Sequence, residues 1–133
     1  MIHTTAHRLR FNDTDRLGHV NNAVFAVMLE QGRSELALEA GLPIDSGGAS
    51  LVIVRLELEF LREMAWPGTV TVETEVARLG NRSFTMRQRL ISATELCARA
   101  VTVLVVMDRA ARRALPLDDA WRDSLTRWLE PGA

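Results

Sequence analysis

The sequence contains little of what several classes of protein require. Cys97 is the single cysteine among 133 residues, which excludes an intrachain disulfide and a cysteine-based metal site. The three histidines are not spaced like metal ligands. The 16 basic and 17 acidic residues nearly cancel, so no charge excess favours binding to nucleic acid or to a membrane surface. We therefore expect no bound metal and no nucleic-acid partner.

Long apolar runs are also lacking. No segment is apolar over the length needed to cross a bilayer, and the first residues, MIHTTAHRLRF, do not form the apolar core of a signal peptide. We therefore expect a cytoplasmic protein without membrane contact. Of the 133 residues, 47% are hydrophobic, so residues 1–133 are expected to form a single domain around one core.

The most informative stretch is residues 11–33. Its first half, residues 12–22, contains two aspartates, a histidine, several amides and a glycine. Residues 23–29 are then apolar without interruption. This order indicates a site at the start of a buried helix that is apolar on every side. The free N–H groups and the dipole at such a helix start can hold an anion or a developing oxyanion.

The elements on either side of the polar segment follow from local patterns. Residues 4–11 alternate weakly, which predicts a first strand. A helix is predicted over 22–40, with Asn21 or Asn22 as its N-cap and a Gly-x-Pro sequence ending it. Residues 45–50, with two adjacent glycines, are expected to form a flexible loop.

Four strands with period-2 alternation are predicted after this loop. The turn sequences Pro67-Gly68 and Gly80-Asn81 separate the first three. The fourth strand, residues 98–107, is apolar on both faces and is therefore expected at the centre of the sheet. Residues 118–130 predict a short amphipathic C-terminal helix. In the first of the four strands, one face is expected to carry Val52, Val54, Leu56, Leu58 and Phe60. Together these elements predict an α+β fold.

The polar segment reads D-x-D-x-x-G-H-V-N-N, and Glu30 and Arg33 follow it in the predicted helix. This ordered motif resembles that of the 4-hydroxybenzoyl-CoA thioesterase type of hot-dog fold acyl thioesterase. The resemblance extends over about residues 4–107. Its motif positions are Asp13, Asp15, Gly18, His19, Val20, Asn21 and Asn22.

The resemblance implies a hot-dog fold, in which an antiparallel five-stranded sheet wraps around a long central helix. It also implies an acyl-CoA thioesterase that hydrolyses an acyl-CoA thioester to free acid and CoA without a cofactor. Members of this family form homodimers, often paired into tetramers, through a continued sheet. A small open sheet with exposed edges independently favours self-association. We therefore expect a homodimer or a homotetramer.

The resemblance assigns the role of general base or nucleophile to Asp15. Taken alone, Asp15 could equally be a loop residue in an Asx turn or a cap. His19 could orient Asp15, contact the thioester or protonate the leaving thiolate, or it could be a loop histidine bonded to a backbone carbonyl. Asp13 is expected to brace the loop by accepting backbone N–H bonds, with a direct part in the chemistry as the alternative. Gly18 is expected at a turn, and the two asparagines are expected to act as caps and loop locks.

Further candidates lie outside the polar segment. Arg82 is a candidate contact for the CoA phosphates, and Ser83 occupies a position after the hairpin where the family often has a serine. Glu30 and Arg33 are three residues apart on one helical face, which predicts a structural ion pair. Family members often carry a tyrosine at the position of Phe25, and this chain contains no tyrosine.

Two other functions fit the same fold. One is an enoyl-thioester hydratase or dehydratase, whose usual D-x-N-P-x-H or H-F-P-G runs are absent here. The other is a non-catalytic acyl-CoA binding protein or sensor, which would not require the carboxylate of Asp15. The fold does not distinguish these functions, whereas the motif favours hydrolysis. The acyl group, the choice between CoA and acyl carrier protein, and the chemical role of Asp15 stay open.

Overall fold

The computed structural model describes all residues from Met1 to Ala133. A curled antiparallel sheet packs against one long helix, as the α+β prediction requires. The strands are β1 (His3–Arg8), β2 (Asp45–Ser46), β3 (Ala49–Phe60), β4 (Thr69–Leu79), β5 (Ser83–Ser92), β6 (Glu95–Asp108) and β7 (Arg113–Ala114). The helices are α1 (Asn22–Glu39), α2 (Asp119–Thr126) and a 3-10 helix (Phe11–Asp13). Neither α-helix is long and apolar enough to cross a membrane.

The sheet has seven strands, so the prediction of five was wrong in number. The two additional strands, β2 and β7, have two residues each and pair with the ends of β3 and β6. The prediction of a flexible loop over residues 45–50 was also wrong. Asp45 pairs with Ser50 and Ser46 with Ala49, and the positive φ angles of the two glycines between them form a tight hairpin turn.

The strand order is β1-β4-β5-β6-β3-β2. β6 lies between β5 and β3, which confirms the prediction that the strand apolar on both faces is central. β3 lies at the opposite side of the sheet from β1, and beyond its first residues it pairs with β6 alone. The free edge of β3 therefore carries a row of unpaired backbone groups.

A bulge in β3 reverses the face on which its first residues lie. The register shifts between Ile53 and Arg55, so Val54 is an extra residue without a directly opposite partner. Ile53 pairs with the buried Leu104 and therefore lies on the inner face, towards α1. The predicted apolar face of β3 was thus wrong for its first two residues, because a one-residue insertion inverts the alternation.

Helix α1 runs over β1, β4 and β5, and leaves the inner face of β3 largely uncovered. Ile53, Leu56 and Phe60 on that face are 44%, 36% and 48% exposed. Val27, in the apolar first half of α1, is also 55% exposed. The prediction of a helix start buried on every side was therefore wrong for the chain by itself, because α1 leaves Val27 exposed.

At Gly32, α1 lies directly against the side chains of the sheet. A Cβ atom built on Gly32 would lie 2.6 Å from Cγ1 of Val72, 3.1 Å from Nε2 of Gln88 and 3.2 Å from Oγ1 of Thr74. Real Cβ atoms essentially never approach another heavy atom as closely as 2.6 Å, so only glycine fits at this crossing. Buried hydrophobic clusters pack on either side of it, against the N-terminal and the C-terminal halves of α1.

Arg33 does not form the predicted ion pair with Glu30. Its Nη1 atom donates instead to Oε1 of Gln88 at 3.2 Å. Nε2 of Gln88 donates to the carbonyl oxygen of Leu29 at 2.9 Å and to Oγ1 of Thr74 at 3.0 Å. Burial lowers the pKa of Arg33, and the charge of the exposed Glu30 acts in the opposite direction. A buried polar network therefore joins α1 to the sheet where the sequence suggested an ion pair within the helix.

Candidate active site

The polar segment folds into a compact loop between the 3-10 helix and α1. Thr14 and Val20 form an isolated antiparallel bridge. Inside it, the N–H of Asp15 donates to the carbonyl oxygen of His19 at 2.8 Å, and the N–H of Gly18 donates to that of Asp15 at 3.1 Å. Gly18 has a φ of +83°, in the left-handed region that favours glycine. This reversal brings Asp15 and His19 side by side.

Asp15 makes the local bonds of an Asx turn. Its Oδ1 atom accepts from the N–H of Leu17 at 2.9 Å and from that of His19 at 3.3 Å. Its Oδ2 atom has no hydrogen-bond donor within the chain, and the residue is exposed. The local and the catalytic interpretations of Asp15 are therefore compatible, because the turn uses one carboxylate oxygen and leaves the other free.

Asp13 is 2% exposed and lies behind the loop. Its Oδ2 atom accepts from the backbone N–H of Arg10 at 2.8 Å, and its Oδ1 atom accepts from Nη2 of the same arginine at 3.1 Å. Burial alone would raise the pKa of Asp13, but the Arg10 bonds and charge outweigh it and lower the pKa. Nε2 of His7 lies 3.7 Å from the carboxylate and has no hydrogen bond. The carboxylate of Asp13 therefore stabilises the loop.

The ring of His19 contacts a side chain that the sequence reasoning did not identify. Its Nε2 atom lies 3.0 Å from Oε2 of Glu63. The alternative of a histidine ring bonded to a backbone carbonyl is therefore not what the structure shows. Glu63 follows β3, far from His19 in the sequence. Nothing in the local pattern around Glu63 indicates this contact, because it depends on how two distant segments pair.

Asn21 is the N-cap of α1, and its Oδ1 atom accepts from the N–H of Ala23 at 2.9 Å. The N–H of Val24 donates to the carbonyl oxygen of Asn21 at 2.9 Å. The backbone N–H of Asn22 has no acceptor within the chain, because it precedes the first helical hydrogen bond. A free N–H group therefore lies at the positive end of α1, beside the loop that carries Asp15.

An open cleft of about 320 Å³ lies at this end of the molecule. Asp15, His19, Asn22 and Glu63 contribute polar groups to its walls. Phe25 and Phe60 form part of its apolar wall, with ring centroids 5.1 Å apart in an edge-to-face arrangement. The remaining lining residues are Leu17, Val20, Leu61 and Arg62.

Arg82 and Ser83 lie elsewhere. Nη1 of Arg82 donates to the carbonyl oxygen of Ala114 at 3.0 Å, and Ser83 begins β5 at the hairpin. The neighbouring Phe84 packs in the cluster around the C-terminal half of α1. Within the chain, these two residues therefore do not lie beside Asp15. Arg62, which the sequence did not single out for the site, is the arginine in the cleft.

The chain is similar to known proteins in sequence and in fold. A model of the thioesterase-like superfamily matches residues 9–129. A predicted thioesterase from Bacillus stearothermophilus is 29% identical with a TM-score of 0.91, over 100% of both chains. The PA5185 protein from Pseudomonas aeruginosa is 25% identical with a TM-score of 0.88, over 98% of this chain and 94% of its own.

A 1,4-dihydroxy-2-naphthoyl-CoA thioesterase from Synechocystis is 20% identical with a TM-score of 0.84, over 95% of this chain and 96% of its own. At this identity the likeness concerns the fold. No curated protein matches the chain.

Proposed function

The chain belongs to the thioesterase-like superfamily, and we propose that it hydrolyses an acyl-CoA thioester to free acid and CoA. One observation carries the proposal: a carboxylate with one unbonded oxygen lies beside the start of α1, in a cleft with apolar walls. Thioester hydrolysis needs an activated oxygen, a donor for the carbonyl oxygen and a site for the acyl-thiol. Asp15, Asn22 and the cleft correspond to these three requirements.

Asp15 can act through its Oδ2 atom in either of two ways. As a general base, it takes a proton from a water that attacks the thioester carbon, and the C–S bond then breaks to release thiolate. As a nucleophile, its oxygen bonds to that carbon, thiolate leaves, and water hydrolyses the resulting anhydride. Oδ1 stays bonded to the loop in both cases, so the carboxylate keeps its orientation.

The free N–H of Asn22 is the proposed donor to the carbonyl oxygen. Negative charge develops on that oxygen as the carbon becomes tetrahedral, and a preorganised N–H bond stabilises it. The positive end of the helix dipole acts in the same direction. A backbone donor leaves no trace in the type of side chain, which is why the sequence could not assign it.

The apolar walls of the cleft favour an acyl group without polar substituents where it meets Phe25 and Phe60. Phe25 occupies the position where family members often carry a tyrosine, so this chain offers no hydroxyl there. Burying a substrate hydroxyl against these rings would leave it without a hydrogen-bond partner. CoA is the proposed thiol carrier, by analogy with the named CoA thioesterase of the same fold from Synechocystis.

A panel of short, medium-chain and aromatic acyl-CoAs tests this function by thiol release. We expect hydrolysis of at least one acyl class. Within that class, we expect kcat/KM to be at least about tenfold higher for the apolar acyl-CoA than for its hydroxylated analogue. A preference for the hydroxylated analogue would contradict the assigned acyl wall. Binding of acyl-CoA without thiol release would favour the acyl-CoA binding protein or the hydratase instead.

We also propose that the protein forms a homodimer or a homotetramer. The free edge of β3 and the exposed apolar residues Ile53, Leu56 and Phe60 support a homodimer through a continued sheet, itself able to pair into a tetramer. We expect light scattering at micromolar concentration to give the mass of a dimer or a tetramer. A monomer under these conditions would contradict this arrangement.

A further inference from the structure

We propose that Glu63 is a positioning residue that acts on the reaction through His19. This inference deepens the proposed thioester hydrolysis and rests on it. Glu63 and His19 both line the cleft that contains Asp15, and Oε2 of Glu63 lies 3.0 Å from Nε2 of His19. Neither the motif nor the comparisons assign a role to Glu63.

Backbone pairing brings the two side chains together. The N–H of Val20 donates to the carbonyl oxygen of Met64 at 2.8 Å, and His19 and Ala65 form an antiparallel bridge. Residues two positions apart on an extended segment point to the same side. Glu63 is therefore the diagonal neighbour of His19 across this short ladder, within reach of a long side chain.

The contact determines what the imidazole can offer to the cleft. A negative charge 3.0 Å from Nε2 favours a proton over a lone pair on that nitrogen, so we expect the neutral ring to carry its proton at Nε2. The other ring nitrogen, Nδ1, then holds a lone pair, and no donor within the chain contacts it. His19 can therefore accept a hydrogen bond at Nδ1 from a water in the cleft. Glu63 would hold both the tautomer and the orientation of the ring.

A purely structural role predicts something different. The His19 side chain is 39% exposed and the Glu63 side chain 74% exposed, and exposed ion pairs contribute little to stability. Removal of Glu63 should thus leave the melting temperature nearly unchanged. A change confined to catalysis and to the state of the His19 ring would then identify a positioning role.

The kinetic test compares Glu63→Ala with wild type on the best acyl-CoA of the panel. We expect kcat to fall about tenfold with KM within about twofold, the size seen when a group that orients a functional side chain is removed. Glu63→Asp should recover part of the loss, since it restores a carboxylate. Glu39→Ala is the matched control, because it removes another exposed glutamate paired with a histidine, 3.1 Å from Nε2 of His3 at the far end of α1, and should leave kcat unchanged.

A double variant separates action through His19 from any other effect. In the His19→Ala background, Glu63→Ala should cause no further loss of kcat. An equal loss in both backgrounds would overturn the proposal, and so would an unchanged kcat in Glu63→Ala. If wild type hydrolyses no thioester, the proposed function itself fails, and this role fails with it. An inactive wild type therefore contradicts the proposed function, whereas an active wild type with an unchanged kcat in Glu63→Ala contradicts only the role of Glu63.

Nitrogen-15 NMR of the imidazole rings gives a readout that does not depend on turnover. The chain has three histidines, so the His19 signals can be assigned by substitution. We expect wild-type His19 to be protonated at Nε2 when neutral, and Glu63→Ala to give a mixture of tautomers. Identical ring signals in the two proteins would overturn the proposal.

Discussion

Replacement of Asp15 by asparagine is expected to lower kcat/KM for acyl-CoA hydrolysis at least about a hundredfold, the size expected when a general base or nucleophile is lost. An amide can neither take a proton from water at neutral pH nor form an anhydride. The amide oxygen can still accept from the N–H groups of Leu17 and His19, which hold Oδ1 in the wild type. The loop should therefore keep its conformation, and the loss should be chemical.

Thiol release measures the kinetic effect, and thermal unfolding checks that the variant is folded. Asp45→Asn is the control, because Asp45 is an exposed aspartate on β2 that pairs with Arg109, away from the cleft. We expect this control to retain wild-type activity. Equal activity of Asp15→Asn and wild type would leave Asp15 with the Asx turn as its only role and would remove it from the chemistry.

Gly32→Val is expected to lower the free energy of unfolding by about 2–3 kcal/mol, the upper part of the usual cost of forcing extra atoms into a close-packed interior. Its new Cβ would collide with Cγ1 of Val72, which lies only 2.6 Å from the ideal position. Nε2 of Gln88, 3.1 Å away, would also have to move, which disturbs its bond to the carbonyl oxygen of Leu29. The buried guanidinium of Arg33 would then lose a well-placed partner.

Denaturant unfolding followed by circular dichroism measures this effect. Gln31→Val is the matched control, because Gln31 is exposed on the same helix and receives the same β-branched residue. We expect the control to cost less than about 1 kcal/mol, since only helix propensity changes. Glycine is itself a poor helix former, so a Gly32→Val variant as stable as wild type would mean that α1 can move away from the sheet.

Local patterns predicted most of the elements. Helix α1 begins at Asn22 as predicted and ends one residue early, at Glu39. Asn21 provides the cap because a short amide at the N-cap reaches an N–H of the first turn. The four long strands after the helix are also present as predicted, and β6, which is apolar on both faces, lies centrally as expected. These features depend on neighbours within a few residues, which the sequence displays directly.

The sequence could not show where that alternation is interrupted. A bulge at Val54 inverts the first part of β3, although every residue there fits the pattern of a regular strand. The two-residue strands β2 and β7 were too short to give any periodic signal. Strand register and bulges depend on the partner strand, which the local sequence does not contain.

In the candidate site, too, the sequence predicted the local features but not the contacts between distant segments. The ordered motif from Asp13 to Asn22 pointed to the loop, because short-range geometry makes Asp15, Gly18 and His19 neighbours. It also identified the family, since a long ordered motif is specific. By itself, then, the sequence determined the class of fold, the family and the loop that carries the carboxylate.

The tertiary structure alone decided which groups from distant segments meet. It paired Arg33 with Gln88 in place of Glu30, and it paired His19 with Glu63. It also separated Arg82 from the cleft, because the hairpin lies near the opposite end of α1. Such contacts arise when strands fix their register and the helix settles into its groove, so their partners cannot be read from spacing along the chain.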